Sequence, residues 1–393
     1  MRYDVIPVSE IIDEIAMGPF GSNIKVECFV DSGIPVLNGS NVVGFRLSED
    51  EFRYVTQEKA DSLGKANASR GDIVITHRGT LGQIAYIPRN SQYDRYIISQ
   101  SQFRVKCKPE KATPEYVVYY FHTREGQHQI LSNKSQVGVP ALGRPTSTFQ
   151  NLTIPLPTLS QQNIIVSTLS CLDNKIELNN KINANLEAQA QTIFKSWFVD
   201  FEPFKDGDFV ESELGMIPKD WRVGTLSELV NVKYGKDHKK LADGAIPVYG
   251  SGGIMRYAEK ALYQDESVLI PRKGTLNNVI YFNEPFWTVD TMFYTEMLQP
   301  HIAKFIYFFV SSKDLASMNA GSAVPSMTTD ILNNLQVMIA PDTIYQEYDI
   351  LVSRMFDMQR HNTKQNRILA ALRDILLPNL MSGEVEMHLE VSE

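Results

Sequence analysis

The sequence contains an internal duplication, and this feature constrains the fold more than any other. The segment RGDIVITHRGTLGQIAYI (70–87) is repeated as DESVLIPRKGTLNNVIYF (265–282), which aligns Gly79-Thr80 with Gly274-Thr275. Further pairs follow in the same order: VSEII (8–12) with LSELV (226–230), IPVLNGSN (34–41) with IPVYGSGG (246–253), and GVPALGRPTSTFQNLTIPLP (138–157) with AVPSMTTDILNNLQVMIAP (323–341). A long helical pattern follows each copy. Such a repeat predicts two similar units, each consisting of a globular domain and one helix.

The globular part of each copy has the pattern of short β-strands. Runs rich in Ile, Val, Tyr and Phe are separated by Gly, Pro and Asn, as in strands joined by tight turns; they are 72–76, 83–87, 102–106, 268–270 and 279–282. One short helix is expected in each copy, near 114–131 and 300–316, with Pro114 and Pro300 at their starts. The sequence therefore predicts an α+β protein with two β-rich domains.

The two long helical stretches, 158–198 and 342–377, carry a coiled-coil pattern. Seam positions recur at alternating steps of four and three residues, with polar residues in the middle of each seam. Pro378 is expected to end the second helix. The polar centres would align in either a parallel or an antiparallel pair, so the seams alone leave the direction open. The predicted seam residues are Ile165, Leu169, Leu172, Ile176, Asn179, Asn183, Leu186, Ile193, Leu351, Met355, Asn362, Leu369, Leu372 and Leu376.

The predicted boundaries are 1–157 for the first domain, 158–205 for the central helix, 206–341 for the second domain, and 342–393 for the C-terminal helix and tail. A helix of about 37 residues is roughly 55 Å long. Two similar modules on a stiff spacer suit a long ligand with a repeat, and duplex DNA repeats every ~34–36 Å.

The charge and the cysteines exclude several classes of protein. The 393 residues include 38 Lys+Arg and 46 Asp+Glu, a net charge of −8, which argues against a strongly basic nucleic-acid-binding arm but permits a local basic face. Cys28, Cys107 and Cys171 are far apart, so neither a zinc knuckle nor a disulfide framework is expected. The longest apolar run, Phe305–Val310, is too short to span a bilayer. We therefore expect a cytoplasmic protein.

Three segments resemble the specificity subunits of type I restriction–modification systems. They are LPTLSQQNIIVSTLSCLDNKIELNNKINANLEAQAQTIFKSWFVDFEPF (156–204), RILAALRDILLPNLMSGEVE (367–386) and MGPFGSNIK (17–25). The resemblance implies two target-recognition domains with pseudo-two-fold symmetry, each reading half of a split, asymmetric site in double-stranded DNA. It also implies an antiparallel coiled coil that spaces them, docking of two modification (methyltransferase) subunits, and restriction subunits joined through these.

The sequence lacks the common catalytic motifs. No Walker GK[ST], GxSxG or HExxH motif occurs, and no Asn- or Asp-Pro-Pro-aromatic segment. We therefore predict no catalytic residue, no metal site and no cofactor. By the resemblance, methyl transfer and ATP-dependent cleavage belong to partner subunits.

The candidate DNA contacts are polar and basic residues of the duplicated loops. Arg suits guanine, Asn and Gln suit adenine, and Lys and hydroxyl groups mainly hold phosphates. The best individual candidates are the paired tripeptides His77-Arg78-Gly79 and Arg272-Lys273-Gly274. The full set is Ser22, Asn23, Lys25, Asn38, Ser40, Asn41, Thr76, His77, Arg78, Thr80, Ser99, Gln100, Gln102, Arg144, Ser147, Lys233, Tyr234, Lys236, Tyr249, Ser251, Arg272, Lys273, Thr275, Asn277, Ser322 and Ser326.

Three alternatives remain open at this point. The loops could be ordinary solvated turns. The chain could be a non-enzymatic scaffold of two interaction modules joined by a coiled coil, which its acidic balance slightly favours, or a catalytic nuclease or methyltransferase. DNA binding that weakens steeply with salt would separate a DNA reader from a scaffold.

Overall fold

The computed structural model describes residues 3–135, 138–318 and 326–385, and the chain forms two compact units. The first unit comprises Met1–Leu178 and Gln365–Glu393, and the second comprises Asn179–Lys364. Each unit therefore contains one globular domain and one half of each long helix.

The described residues of the first unit form eleven strands in three sheets and four short α-helices. A four-stranded sheet has the order β2-β10-β7-β8, a five-stranded sheet the order β3-β5-β4-β9-β6, and β1 pairs with β11. The strands are β1 (Asp4–Pro7), β2 (Ile12–Met17), β3 (Phe29–Val30), β4 (Ile34–Val36), β5 (Arg53–Val55), β6 (Asn67–Ser69), β7 (Ile73–Thr76), β8 (Ile84–Tyr86), β9 (Arg95–Ile97), β10 (Gln102–Cys107) and β11 (Thr153–Leu156). The helices are α1 (Gln57–Ser62), α2 (Pro114–His122), α3 (Arg124–Ser132) and α4 (Pro145–Gln150), and the long α5 (Leu159–Phe198) begins here.

The second unit repeats this plan with fewer strands in one sheet. Its four-stranded sheet has the order β15-β21-β18-β19, a three-stranded sheet the order β17-β16-β20, and β14 pairs with β22, as β12 does with β13. The strands are β12 (Phe209–Ser212), β13 (Gly215–Pro218), β14 (Arg222–Thr225), β15 (Val230–Tyr234), β16 (Asp243–Gly250), β17 (Gly253–Ala258), β18 (Ser267–Pro271), β19 (Ile280–Phe282), β20 (Trp287–Thr288), β21 (Met292–Met297) and β22 (Gln336–Ile339). The helices are α6 (Ala303–Ser311), α7 (Thr329–Asn333) and the long α8 (Asp342–Ser382).

The duplication predicted from the sequence is confirmed in the four-stranded sheets of the two units. The central strand β10 pairs with β2 and β7 in the first unit, and β21 pairs with β15 and β18 in the second, all antiparallel. One parallel pairing also recurs: Val36 of β4 lies opposite Ile97 of β9, and Val248 of β16 lies opposite Trp287 of β20. The α+β prediction is therefore correct.

The halves of the long helices run antiparallel within each unit. In the first unit, Ile165 and Leu169 from the start of α5 share a buried cluster with Leu377 and Leu380 from the end of α8. These residues pack together with the four-stranded sheet and α2, which anchors the helices to the domain.

In the second unit, the paired halves begin at a polar layer. The amide of Asn362 donates to Asn183 Oδ1 over 2.8 Å, and Gln359 Nε2 donates to the Asn183 carbonyl over 2.9 Å. Further along α5, Phe198 packs on Tyr345 and Tyr348 of α8, at ring-centroid distances of 5.9 and 5.0 Å. Residue numbers thus rise along α5 and fall along α8, so the structure gives the direction that the seam pattern left open.

The predicted seam positions are all at least half-buried in α5 but not in α8. All eight predicted positions of α5 are buried or half-buried. Leu351 and Leu372, however, remain 45% and 42% exposed. Their neighbours are the enclosed residues: Val352 is fully buried, and Arg373 Nη1 pairs with Asp173 of α5 at 2.8 Å. Met355, Asn362, Leu369 and Leu376 are buried or half-buried as predicted.

Two predicted short helices differ from the structure. The stretch 114–131 is broken at Thr123, whose extended backbone allows its hydroxyl to cap α3 by accepting from the Gly126 amide at 3.0 Å. The second helix is shorter than 300–316, and Pro300 does not start it. His301 has a left-handed backbone (φ 66°), so the helix begins only at Ala303.

Pro378 does not end α8, which continues to Ser382. A proline inside a helix costs about 3 kcal/mol or more. Leu380 and Met381, both 3% exposed, lie in the core of the first unit and stabilise the extra turn.

Candidate DNA-binding surface

In the first unit, buried amide side chains hold the duplicated loops together. Gln102 is fully buried; its Oε1 accepts from the Ser99 amide at 2.9 Å, and its Nε2 donates to the Asn38 carbonyl at 3.0 Å. Thr76, 2% exposed, donates its hydroxyl to Gln83. The polar groups of Gln102 and Thr76 are thus used within the domain, and these two residues position the loops rather than face a ligand.

The tripeptide His77-Arg78-Gly79 lies against the loop that precedes α4. The Leu142 amide donates to the His77 carbonyl at 2.9 Å, and Arg78 forms a backbone bridge with Ala141. The His77 ring donates from Nε2 to the Gln100 carbonyl at 3.2 Å. Burial, with a smaller effect of the adjacent Arg78 charge, lowers the pKa of His77, which favours a neutral ring. The positive group of this loop is therefore Arg78.

In the Asn38–Asn41 turn, the side chains of Asn38 and Asn41 accept hydrogen bonds from backbone amides of the same turn. Asn38 Oδ1 accepts from the Ser40 amide at 2.8 Å and from its hydroxyl at 2.5 Å. Asn41, 1% exposed, accepts from the Asn38 amide and donates to the carbonyls of Ser48 and Glu51. Asn41 is a structural residue here, whereas Ser40 and Asn38 lie at the surface.

The exposed candidates of the first unit lie on the same loops. Arg78 and Arg144 are exposed, and neither guanidinium makes a hydrogen bond or ion pair within the described part of the chain. Arg144 has a left-handed backbone (φ 48°) at the start of α4, an uncommon conformation outside glycine. Lys25 lies 3.6 Å from Glu27, an exposed and therefore weak pair. Asn23, Thr80, Gln100 and Ser147 are also exposed, Ser99 is half-buried, and Ser22 lies in a short turn, Gly21–Asn23.

The second unit places its matching tripeptide in the same way. The Met327 amide donates to the Arg272 carbonyl at 2.8 Å, as the Leu142 amide does to His77, and Lys273 forms a backbone bridge with Ser326. Gly274 has φ 85°, and Gly79 has φ 90°. Because these left-handed conformations favour glycine, both loops turn at the same point.

Arg272 is held in place by its neighbours. Its Nη1 donates to the Asp290 carbonyl at 3.0 Å, and its Cζ lies 5.3 Å from the centre of the Tyr234 ring. Tyr234 is 50% exposed, so this cation–π pair faces solvent. The pair offers a flat, positively charged surface at the edge of the four-stranded sheet.

The remaining candidates of the second unit differ in exposure. Lys233 pairs with Glu296 at 3.6 Å, and Tyr249 is 6% exposed within an aromatic cluster. Ser251 is half-buried, accepting at its carbonyl from Asn278, while Thr275 and Asn277 are exposed. Ser322 lies outside the described residues.

The sequence analysis missed two lysines beside Lys236. Lys239 and Lys240 are exposed in the loop between β15 and β16, and among residues that the structure describes none of the three ammonium groups forms an ion pair. The run Lys236-Asp-His-Lys-Lys is visible in the sequence, but the sequence analysis selected only Lys236 from it. The loop thus carries a cluster of solvent-facing ammonium groups on the second unit.

Within the three described ranges, no group of three or more His, Cys, Asp or Glu side chains could hold a metal ion. No helix in that part of the chain is both long and apolar enough to cross a membrane.

Comparison with known proteins assigns the chain to a family. The model of the type I restriction modification DNA specificity domain matches twice, over residues 31–188 and 218–370. A specificity subunit of the type I restriction enzyme MjaIX from Methanocaldococcus jannaschii is 25% identical, covering 98% of this chain and 94% of the relative. The HindI specificity subunit from Haemophilus influenzae is 22% identical over 95% of this chain and 99% of its own length.

A solved structure agrees on the fold. The S subunit of a type I restriction–modification system from M. genitalium superposes with a TM-score of 0.60 at 17% identity, covering 99% of this chain and 97% of that chain. Since two copies of the family model cover most of the sequence, the chain belongs to the DNA specificity subunits of type I restriction–modification systems, which recognise DNA and contain no catalytic site of their own.

Proposed function

We propose that this subunit reads a bipartite, asymmetric DNA site, one half with each globular domain (1–157 and 206–341). The observation that carries the proposal is the repeated loop arrangement. In the first unit, the loop after β7 carries Arg78, which forms a backbone bridge with Ala141 in the loop before α4. In the second unit, the loop after β18 carries Lys273, which forms the matching bridge with Ser326 before α7. Two copies of one surface with different side chains suit two different half-sites.

The side chains available on these surfaces have the chemistry of DNA readers. Arg78, Arg144 and Arg272 offer guanidinium groups that can bind guanine or phosphate, and Lys236, Lys239 and Lys240 can neutralise phosphates. The chain as a whole carries −8, so these local cations have to face the polyanion. Asn41, Thr76, Gln102 and Tyr249 are not retained as direct contacts, because they are buried.

The long helices would set the spacing between the half-sites. Both α5 and α8 pass from one unit into the other without a break. The layer formed by Asn183, Gln359 and Asn362 fixes their register, since shifting one helix would separate these hydrogen-bonded amides inside the seam.

The partner subunits would dock on the outer faces of the helices. Ile368, Leu372 and Ile375 lie at steps of four and three along α8 and are 68%, 42% and 63% exposed. Such an apolar stripe is unusual on a free helix and typical of an interface. We infer that it contributes to binding two modification subunits, which in turn recruit restriction subunits, in the cytoplasm.

Methylome sequencing of cells that contain this subunit and its modification partner tests the proposal. We expect one motif made of two unlike halves separated by a fixed number of unread bases. Inserting seven residues, one heptad, into both α5 and α8 should change that number or abolish methylation. A contiguous motif, or an unchanged spacer after the insertion, would refute the bipartite reading.

A salt titration separates DNA reading from the scaffold alternative. Binding to the mapped site should weaken as salt rises, and Arg78→Ala should weaken it by about 1–3 kcal/mol if Arg78 contacts a base. Arg89→Ala, which removes an exposed charge that is not among the candidate contacts, serves as the control. Binding without salt dependence would favour the scaffold.

A further inference from the structure

The first unit contains a cavity of about 350 Å³ beside the proposed DNA-reading loops. It lies between the Gly18–Gly21 loop, β3, the end of β4, and the turn between β9 and β10, and its walls include Phe20, Phe29, Asn38, Arg53 and Gln100. Its volume falls within the range of sites for small organic groups, about 300–1,000 Å³.

The walls of the cavity suit a flat aromatic group. The guanidinium carbon of Arg53 lies 5.2 Å from the centre of the Phe29 ring, so one wall combines a positive charge with an aromatic face. Phe20 stands at the mouth and is 85% exposed. Nucleic-acid-binding proteins use such aromatic and Arg faces to stack unpaired bases.

Two glycines allow the Phe20 loop to lie close to Ser99 and Gln100 in the cavity wall. A Cβ at Gly18 would lie 1.9 Å from the Ser99 carbonyl oxygen, and one at Gly21 would lie 2.1 Å from Gln100 Oε1. At Gly18 only glycine permits this approach, because the Ser99 backbone cannot move aside, whereas the exposed Gln100 side chain could rotate away from a residue at position 21. The segment is therefore a built feature of the domain rather than a loose surface loop.

Polar groups at the rim can orient a base. Gln100 is exposed, and Asn38, which lines the cavity, uses its Oδ1 to accept from Ser40. Its Nδ2 donates no hydrogen bond within the described part of the chain. Arg53 makes no ion pair with any carboxylate in the described ranges. Amide groups match the hydrogen-bonding edges of bases, and a free guanidinium matches the attached phosphate.

We propose that this cavity receives one unstacked nucleobase of the bound DNA, held between Phe20 and the Arg53–Phe29 wall. The inference rests on the proposed function and deepens it for the first half-site. It does not extend to the second unit, because Lys236-Asp237 follow Gly235 where Pro19-Phe20 follow Gly18. The two domains would then read DNA in different ways.

Duplexes that carry the mapped site, each with one base of the first half-site changed, test this proposal with the full-length subunit and its modification partner. In one series a single base is replaced by 2-aminopurine, and in another the base opposite is removed. Methyltransferases extrude the base that they modify, so the adenine methylated by the partner is left out of both series. At one other position we expect 2-aminopurine fluorescence to rise on binding, and removal of the opposite base to tighten binding by about tenfold, because unpairing no longer has to be driven by the protein.

Variants connect that signal to the cavity. Phe20→Ala and Arg53→Ala should abolish both the fluorescence rise and the gain from the missing base. Val26→Ala is the matched control: Val26 is 81% exposed in the same segment and does not line the cavity, so the variant should behave as wild type.

Sequence-specific, salt-dependent binding in which no position of the first half-site other than the methylated adenine responds would overturn the cavity proposal and leave DNA reading intact. Loss of affinity in Phe20→Ala without a responding position would also overturn it, since Phe20 would then act only as a wedge between stacked bases. Absence of specific binding by the wild-type complex would instead refute the proposed function.

Discussion

A buried ionic cluster around Lys304 joins the second globular domain to helix α8. Its Nζ lies 2.7 Å from Asp349 Oδ1 on the helix and 3.3 Å from Glu266 Oε1 on the domain, while the side chain is only 6% exposed. The same ammonium lies 5.4 Å from the centre of the Tyr281 ring. Removing this charge would leave the carboxylate of Asp349, which is 14% exposed, without its shortest ion pair.

We expect Lys304→Met to lower the free energy of unfolding of the second unit by about 3 kcal/mol, because loss of one partner from a buried pair costs about 3–5 kcal/mol. The low end applies since Glu266 is 40% exposed and His301 still lies 3.0 Å from Asp349. Methionine keeps the apolar stem, so the loss measures the charge. Guanidinium chloride titration followed by tryptophan fluorescence reports this unit, because it contains all three tryptophans of the chain.

Two variants show whether burial is the cause. Lys233→Met removes the exposed pair with Glu296 and should cost less than about 1 kcal/mol. Adding Asp349→Asn to Lys304→Met should recover part of the loss, because the buried carboxylate is then neutral. A Lys304→Met protein that unfolds at the wild-type midpoint, or a double variant no more stable than the single one, would refute the reasoning.

Three further outcomes are expected. Leu169→Ala, in the buried seam of the first unit, should cost about 2–5 kcal/mol, whereas the exposed Leu372→Ala should cost less than about 0.5 kcal/mol; calorimetry that ranks them equally would contradict the corrected seam. Burial lowers the pKa of His122, so the folded first unit favours the neutral ring and loses stability as the pH falls below the unfolded value near 6.5. Hydrogen-exchange protection factors of that unit, corrected for the intrinsic exchange rate at each pH, should therefore decrease on acidification, and should decrease less in His122→Gln. Gly235→Ala would place a Cβ 2.0 Å from the Val289 carbonyl oxygen, so it should weaken DNA binding, and wild-type affinity would show that the loop adapts.

The contrast between α5 and α8 shows where sequence reasoning reaches its limit. In α5, steps of four and three select the residues that the structure buries, from Ile165 to Ile193. In α8, the same periodicity selects Leu351 and Leu372, although the neighbouring Val352 is the buried residue and the neighbouring Arg373 pairs with Asp173. The helix has apolar residues on more than one face, so periodicity cannot distinguish the face toward α5 from one toward solvent or a partner.

For the candidate site too, the sequence located the loops but could not tell which of their side chains are exposed. The duplication located the loops, and the bridges of Arg78 and Lys273 support their equivalence. Residue type could not separate exposed amides from structural ones: Asn41 and Gln102 are buried and hydrogen-bond to the loop backbone, while Gln100 is exposed. That difference depends on long-range hydrogen bonds such as the one from Gln102 to Asn38.

The sequence by itself determined the two-fold repeat, the mixed α+β class and the presence of two long helices, because repeats and hydrophobic periodicity are local patterns that any fold of the chain must satisfy. The tertiary structure alone decided the antiparallel direction of the helices, the face that α8 buries, and the side chains left for a ligand. These depend on contacts such as Asn183–Asn362 and Asp173–Arg373, whose partners are far apart along the chain and meet only once the units have folded.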